Sequence, residues 1–164
     1  MEKTTSASGG KTVIVSGGFD PIHIGHIEMM KEAKSLGNKL VVVINNDNWI
    51  RKKRGAEPFM PELERKAVVE SIRYVDEVVL TSHPKNPEGA KAMSVSEELE
   101  KIHPDIFANG GDRDEKNAAD PNSSLYHDIE TCKRLGIEMV FNVGKSGKIQ
   151  SSSWLIKKAV EAKK

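Results

Sequence analysis

One run near the start of the chain decides its fold: Gly17-Gly18-Phe19-Asp20-Pro21-Ile22-His23-Ile24-Gly25-His26. A β-branched apolar run precedes it at residues 12–15, and a helix-like apolar pattern follows it at residues 27–36. This order predicts a strand, a tight turn and a helix. Glycines let backbone N–H groups approach an anion closely, and a helix N-terminus adds about half a positive charge. Because His23 and His26 lie one helical turn apart, both rings can face one phosphate, and the run predicts a phosphate site.

The composition is that of an ordinary water-soluble domain. The 164 residues suffice for one core, and we expect a flexible tail at residues 1–11 and a single domain at residues 12–164. The net charge of +1 gives no basic excess that would indicate a nucleic-acid partner. Because there is no secretory signal and no long apolar run, we expect a cytoplasmic protein with no membrane span. The single cysteine, Cys132, excludes an intramolecular disulfide and is interpreted as a buried thiol in a helix.

Strand-like and helix-like segments alternate along the chain. Strands are predicted at residues 12–16, 40–44, 77–80, 105–108 and 138–143, and helices at residues 27–36, 62–74, 94–102, 125–135 and from 152 onward. In the second of these helices, the spacing of Val68, Ile72 and Val75 predicts the buried stripe. The alternation predicts a Rossmann-like α/β fold, a five-stranded parallel sheet with helices on both faces. Ligands bind such sheets outside the carboxyl ends of the strands, where the strand order reverses.

Polar and basic segments follow the predicted strands, where ligand contacts are expected. Residues 51–55, Arg-Lys-Lys-Arg-Gly, form a basic loop, which both phosphate binding and plain solvation explain. Arg65 and Arg73 lie opposite the buried stripe, where phosphate contact and a solvated face both fit. Residues 109–113, Asn-Gly-Gly-Asp-Arg, form a turn that could bind a base or ribose. Serines at residues 151–153 begin the last helix, as a phosphate site or simply as an N-cap.

Together these segments resemble the cytidylyltransferase-like nucleotidyltransferases. The resemblance rests on H-x-G-H at residues 23–26, on Arg-Tyr-Val-Asp-Glu-Val-Val at residues 73–79, and on residues 148–156, which are similar to the family's I-S-T-T-x-I element. The run at 73–79 is shared with cytidylyltransferases for choline phosphate, ethanolamine phosphate and glycerol 3-phosphate. Two further segments resemble heptose-1-phosphate adenylyltransferases. One is the run at residues 54–61, which contains Arg-Gly and two prolines, and the other is Gly-Gly-Asp at residues 110–112.

The resemblance implies transfer of a nucleoside monophosphate from an NTP to a phosphorylated small molecule, with release of pyrophosphate. It favours CTP and a polyol or amino-alcohol phosphate, with ATP and a sugar phosphate such as a heptose 1-phosphate as the alternative. The family's Arg-Thr-Glu-Gly before the serines is replaced here by residues 144–148, Gly-Lys-Ser-Gly-Lys, which leaves nucleotide choice open. Mg²⁺ is expected to arrive with the NTP, without dedicated protein ligands. A homodimer is expected because members of the family are often dimers.

The resemblance also implies roles for individual residues. As catalytic groups it gives His23, His26, Lys53 and Arg73. As nucleotide-binding residues it gives Gly17, Gly18, Phe19, Asp20, Gly25, His26, Gly111, Asp112, Arg113, Ser151, Ser152 and Ser153. As substrate-binding residues it gives Lys52, Arg65 and Asp20. In the implied reaction the acceptor's phosphate oxygen attacks the α-phosphorus in line, so the protein contributes positioning and charge neutralisation rather than a nucleophile.

The same landmarks allow functions of other classes. A nucleotide-binding module without turnover would keep the fold, although the intact histidine pair and serine triplet argue against it. A dinucleotide-binding dehydrogenase domain is disfavoured because no G-x-G-x-x-G follows the first strand. An aminoacyl-tRNA synthetase shares the H-x-G-H logic, but this chain is short and has no K-M-S-K-S loop.

Overall fold

The computed structural model describes residues 10–110, 118–144 and 150–163, to which all structural statements refer. The strands are β1 (Thr12–Gly17), β2 (Lys39–Ile44), β3 (Glu77–Leu80), β4 (Ile106–Gly110) and β5 (Glu138–Val143). The helices of this part of the chain are α1 (Ile24–Ser35), α2 (Asp47–Arg54), α3 (Glu62–Glu70), α4 (Gly89–Ala92), α5 (Ser96–Ile102), α6 (Ser124–Leu135) and α7 (Ser152–Glu161). None of the helices in the described part is long and apolar enough to cross a membrane. Most of the predicted tail, residues 1–9, lies outside the described residues.

All five strands run parallel in the order β3-β2-β1-β4-β5. β1 therefore lies at the centre, and the chain crosses from one side of it to the other between β3 and β4. Because the strands are parallel, their carboxyl ends meet at one edge of the sheet, here called the carboxyl edge, and their amino ends meet at the amino edge. The predicted Rossmann-like architecture with a five-stranded parallel sheet is confirmed.

Apolar side chains bury the sheet between two layers of helices. Because side chains alternate along a strand, Val15 of β1 packs with Met30 of α1, whereas Ile14 packs with Leu99 of α5 and Cys132 of α6. We call the side covered by α1 and α3 the α1 face, and the side covered by α5 and α6 the α5 face. Burial raises the pKa of the Cys132 thiol to about 12, as expected of a buried thiol in a core helix.

The structure corrects several local predictions. Residues 51–54 are not a loop but the last turn of α2, which ends at Gly55 in the left-handed conformation (φ 71°). Cations in a last helical turn interact favourably with the helix dipole, so their clustering has a structural cause. α3 ends at Glu70, earlier than predicted, and its buried apolar residue is Val69, whereas Val68 is 38% exposed. The short helix α4 was not predicted.

Candidate active site

The two predicted histidines lie side by side at the start of α1. His23 is the N-cap residue, and its Nδ1 accepts a hydrogen bond from the Gly25 N–H at 3.1 Å. Nδ1 of His26 accepts one from the His23 N–H at 3.2 Å, which completes a capping box. The rings stack with centroids 3.8 Å apart and 25° between their planes. Because both Nδ1 atoms accept, each imidazole in its neutral form carries its proton on Nε2 and offers it as a donor.

His26 is held as a neutral imidazole. Burial, and then the nearby His23, lower the pKa of His26 from 6.5 to about 3. Phe19, which is 2% exposed, contacts the His26 ring edge-on, with ring centroids 4.9 Å apart. A negative charge close to this ring would favour its protonated form and raise its pKa, so anion binding at this point is coupled to proton uptake.

We call the turn between β1 and α1 the glycine turn. Its glycines are needed because they have no side chain, and not because they adopt backbone angles that other residues avoid. Its left-handed residue is Phe19 (φ 52°), and neither Gly17 nor Gly18 has that conformation. A Cβ on Gly17 would lie 3.1 Å from the Phe19 ring, and a Cβ on Gly18 would lie 2.9 Å from Cδ1 of Ile50. The glycines therefore let Phe19 fold back beneath the turn and let α2 pack against it. That they free backbone N–H groups for an anion stays a prediction.

Asp20 ties the glycine turn to α2 and to the loop that follows it. Its side chain is 1% exposed, and Oδ2 accepts from Arg54 Nη1 at 2.7 Å and from the Phe59 N–H at 2.8 Å. Oδ1 accepts from the Met60 N–H at 2.6 Å, and the Asp20 carbonyl accepts from Arg54 Nη2 at 2.7 Å. The chain's own donors thus occupy this carboxylate, and its predicted contacts with nucleotide and substrate stay predictions. Arg54, to which the sequence assigned no role of its own, is brought to the site.

Arg65 was predicted on a face opposite the buried stripe, yet it is 1% exposed. Its Nη1 donates to two backbone carbonyls, that of Gly18 at 2.7 Å and that of Asn45 at 2.6 Å. Its Nη2 donates to Asp47 Oδ1 at 2.6 Å, and its Nε donates to the Met60 carbonyl at 2.9 Å. The predicted position was wrong because the buried stripe of α3 is shifted by one residue. Arg65 instead holds together the glycine turn, the end of β2, the start of α2 and the loop before α3.

Lys52 and Lys53 lie exposed on the last turn of α2. Their neighbours Arg51 and Arg54 are engaged in ion pairs, whereas neither lysine has an ion-pair partner among the described residues. Because Arg54 fixes this end of α2 to the glycine turn, the two lysines are available positive charges beside it.

The N-terminus of α7 meets the same turn. Ser152 Oγ donates to the Pro21 carbonyl at 2.8 Å, which brings a second helix N-terminus next to that of α1. Ser151 is the N-cap residue and 6% exposed, but its side chain makes no capping hydrogen bond, and Ser153 is exposed. The interpretation of these serines as an ordinary N-cap is therefore not supported. Two helix N-termini, each with backbone N–H groups and partial positive charge, converge at Pro21.

Arg73 does not reach this edge of the sheet. It follows α3, which begins at the carboxyl edge and runs for 9 residues, about 13 Å, towards the amino edge. Three residues later, Asp76 Oδ2 accepts from the Leu40 N–H at 2.7 Å, at the beginning of β2. This position gives no support to the predicted role of Arg73 as a catalytic group beside His23 and His26, and that role stays a prediction. Other predicted nucleotide-binding residues lie outside the described part of the chain: Gly111, Asp112 and Arg113.

Polar residues stand at the ends of four neighbouring strands, and the sequence interpretation singled out one of them, Asn109, and missed the other three. The four are Ser16, Asn45, Thr81 and Asn109, which we call the polar row. Each stands where an apolar run ends, and this repeated position on four strands is the signal that could have identified them. Because the carboxyl ends of parallel strands meet at one edge, the four side chains lie along that edge and not at scattered positions.

The assembled carboxyl edge suits a ligand with several negative charges. It combines two imidazole donors, two helix N-termini and the exposed lysines of α2, while the Asp20 carboxylate is neutralised by Arg54. Within the described ranges, no group of three or more His, Cys, Asp and Glu side chains could hold a metal ion. Such an arrangement can bind a chain of phosphates and neutralise charge that develops on one of them.

Comparison with known proteins agrees with this chemistry. The family model described as cytidylyltransferase-like matches residues 14–152. The FAD synthases of Pyrococcus abyssi and Thermococcus kodakarensis are each 38% identical to this chain over 62% of its length, and the matches cover 64% and 62% of those proteins. The chain thus spans less than two thirds of the length of these curated relatives. The lipopolysaccharide core biosynthesis protein from Thermoplasma volcanium superposes with a TM-score of 0.63 at 28% identity, covering 84% of this chain and 100% of that one.

Proposed function

The chain belongs to the cytidylyltransferase-like family of nucleotidyltransferases, and from that membership we propose that it transfers the adenylyl group of ATP to flavin mononucleotide (FMN), forming FAD and pyrophosphate. The observation that carries the proposal is the pair of Nε2–H donors of His23 and His26 at a helix N-terminus. This pair occurs in a chain that is 38% identical to two FAD synthases over 62% of its length.

The choice of ATP differs from the expectation of CTP. That expectation rested on residues 73–79. Within them, Asp76 accepts the Leu40 N–H at the amino edge, and residues 77–79 belong to β3 and pair with β2. The segment fixes β3 against β2, and this structural role accounts for its sequence without a nucleotide contact. ATP is supported by the FAD synthase relatives, because joining an adenylyl group to FMN is what forms FAD.

The proposed reaction needs charge neutralisation at the α-phosphorus. An oxygen of the FMN phosphate attacks that phosphorus, one P–O bond forms, and the bond to the departing pyrophosphate breaks. The Nε2–H groups of His23 and His26 would donate to the non-bridging oxygens on which charge grows. Backbone N–H groups hold both Nδ1 atoms, so these donors are positioned before the substrates arrive.

Other elements of the same edge would bind the phosphates on either side of the α-phosphorus. The N-terminus of α7, with Ser152, would hold the departing β- and γ-phosphates. Lys52 and Lys53 would bind the phosphate of the acceptor, because Arg54 fixes their helix to the glycine turn. We propose that Mg²⁺ arrives on the triphosphate and neutralises its charge. The Asp20 carboxylate already accepts three hydrogen bonds, so the ion would keep phosphate and water ligands there.

A competition experiment tests the proposal. The protein is incubated at limiting concentration with Mg²⁺, FMN and equal ATP and CTP, and the products are separated by chromatography. We expect FAD to exceed the cytidylyl analogue at least tenfold, which corresponds to about 1.4 kcal/mol in transition-state binding. An excess of the cytidylyl product would restore the CTP assignment. Nucleotide binding without pyrophosphate release would indicate a binding module, and His26→Ala provides the control for background turnover.

A second acceptor class is favoured by one comparison. The match to the lipopolysaccharide core biosynthesis protein covers all of that chain at 28% identity. A sugar phosphate such as a heptose 1-phosphate is therefore the second candidate. The same assay with heptose 1-phosphate and with glycerol 3-phosphate in place of FMN decides between them. If kcat/KM for either compound is tenfold above that for FMN, that compound and not FMN is the acceptor.

A further inference from the structure

On the α5 face, the polar row closes the carboxyl edge above the apolar core. Asn45, Thr81 and Asn109 are 2%, 5% and 3% exposed, so these are buried side chains rather than a solvated rim. On the α1 face, the apolar ring of Phe19 packs in the core, and Arg65 has its donors engaged within the chain. Apart from the imidazoles at the start of α1, the α5 face is therefore the side of this edge that retains hydrogen-bonding capacity.

Strand alternation places Ser16 and Asn45 on that face. Ile14, two residues before Ser16, and Val43, two residues before Asn45, both pack in the core of the α5 face. The Asn45 N–H donates to the Gly17 carbonyl at 2.9 Å, so the ladder and its alternation continue past the end of β2. Both side chains thus lie on one face of adjacent strands, next to the glycine turn.

These two members of the row lack hydrogen-bond partners. Among the described residues, Ser16 Oγ and Asn45 Oδ1 are the buried side-chain atoms that have none. By contrast, Thr81 Oγ1 accepts from the Asn46 N–H at 2.9 Å and lies 2.7 Å from Nδ1 of His83. Buried polar groups are nearly always satisfied, and leaving one unpaired destabilises the free chain. Their place beside a phosphate site indicates that a ligand completes them.

We infer that Ser16 and Asn45 form a subsite for the hydroxyl groups of the acceptor. Asn45 Oδ1 only accepts hydrogen bonds and so selects a donor, whereas Ser16 Oγ both donates and accepts. A polyol chain supplies matching hydroxyls on neighbouring carbons and brings no charge that would have to be buried. The inference rests on the proposed function and identifies the ribityl chain of FMN as the part of the acceptor that is recognised. Because both atoms are closed to solvent, the acceptor reaches them after neighbouring side chains shift.

Near-isosteric variants distinguish this subsite from a structural role. We expect Asn45→Leu and Ser16→Ala each to raise the KM for FMN about 3- to 10-fold, the loss of one net hydrogen bond, with the KM for ATP unchanged. The thermal midpoint of the free chain should stay equal or rise, because an unsatisfied atom is removed. The matched control is Thr81→Val, which removes a satisfied hydroxyl of the same row and should lower the midpoint without changing the KM for FMN.

A binding measurement separates the subsite from the proposed function. Titration calorimetry with a non-hydrolysable ATP analogue present compares D-ribitol 5-phosphate with pentyl phosphate, which lacks the hydroxyls. We expect the wild-type chain to prefer ribitol 5-phosphate at least tenfold, about 1.4 kcal/mol, and each variant to lose most of that preference. If FAD does not form but this preference is found, FMN is rejected and the subsite stands. Equal binding of both phosphates by the wild type, or a preference that both variants keep, overturns the subsite.

Discussion

At the amino edge of the sheet, carboxylates accept hydrogen bonds from backbone N–H groups near the start of two strands. Asp105 Oδ2 accepts from the Thr12 N–H of β1 at 2.9 Å, and Asp76 Oδ2 accepts from the Leu40 N–H of β2 at 2.7 Å. At the carboxyl edge of the same sheet, the buried Ser16 Oγ has no hydrogen-bond partner within residues 10–110, 118–144 and 150–163, and two helix N-termini converge on one turn. The two edges belong to the same strands and differ in whether their polar groups are satisfied within the chain.

The amino edge is also closely packed. A Cβ on Gly37 would lie 2.5 Å from the Lys11 carbonyl, which leaves room only for glycine there. The starts of β1 and β2 are thus fixed by hydrogen bonds within the chain, whereas Ser16 and Asn45 at their other ends keep polar atoms unpaired among the described residues. Asp76, within the run at residues 73–79 that is shared with cytidylyltransferases, lies at the amino edge, and Glu77–Leu80 of β3 pair along β2. The run thus has a structural role, and the competition of ATP with CTP tests whether it also bears on the nucleotide.

The largest expected effect comes from His26→Ala at the carboxyl edge. Loss of its Nε2–H donor should lower kcat by about 10²–10³-fold with little change in the KM for ATP, because the charge it meets grows in the transition state. Steady-state rates of pyrophosphate release measure this. Arg73→Ala, at the other edge, is the control and should keep the wild-type kcat. A near-normal kcat with a raised KM would make His26 a binding residue only.

A smaller effect is expected from the double variant Ser152→Ala with Ser153→Ala. ATP binding should weaken about tenfold through the loss of one or two net hydrogen bonds, while the thermal midpoint stays unchanged. Titration calorimetry and thermal unfolding measure the two quantities, and Ser71→Ala, a serine distant from the glycine turn, is the matched control. If the double variant binds ATP normally but its thermal unfolding midpoint is lowered, these serines stabilise the start of α7 and do not bind the nucleotide.

The pH dependence of stability should also distinguish the two edges. The pKa of His26 is about 3 in the folded chain and 6.5 ordinarily, so between these values the unfolded chain binds a proton that the folded chain does not. The contribution of His26 is therefore present above pH 6.5 and is lost as the pH falls. Urea unfolding at pH 7 and pH 4.5 should show a smaller loss for His26→Gln than for the wild type. Equal losses would contradict the depressed pKa.

The smallest effect is expected from Asp76→Asn at the amino edge. Although burial alone would raise the pKa of Asp76, its hydrogen bonds with Lys34 and the Leu40 N–H hold that pKa below its ordinary value. Asp76→Asn should lower the free energy of unfolding by about 1 kcal/mol at neutral pH. The wild-type advantage should fade as the pH drops below the ordinary pKa of aspartate, and kcat should not change. A lowered kcat at full stability would give residues 73–79 a part in the reaction.

The elements that local pattern determines were predicted well, and those that tertiary contacts determine were not. β3 and β5 have their predicted bounds because apolar runs between polar residues specify strands. Val68 and Val69 are adjacent, so apolar spacing could not decide which one faces the core. Because Arg65 lies one helical turn before Val69, the choice of Val68 placed Arg65 on the wrong face of α3. The basic end of α2 looked like a loop because composition does not show the dipole or the cap that stabilise it.

The histidines and the serines were singled out because each set forms a short motif that is readable in the chain, and the structure brings the two segments together at Pro21. Their roles with a ligand stay predictions. The left-handed backbone of Phe19 and the bonds of Asp20 to Arg54 depend on segments that meet only after folding. The unpaired atoms of Ser16 and Asn45 are likewise invisible in the sequence, because a missing partner is a property of the packed structure.

The hydrogen bond between Ser152 and Pro21 joins positions 131 residues apart, and this distance orders events during synthesis of the chain. A ribosome releases the histidine pair early, together with β1, but β1 gains its second neighbour only when β4 has been made. The helix that brings the second N-terminus to the histidines is made later still. A nascent chain therefore has a growing sheet and only the first of the two helix N-termini, and the second joins it after residues 151 and 152 have been made.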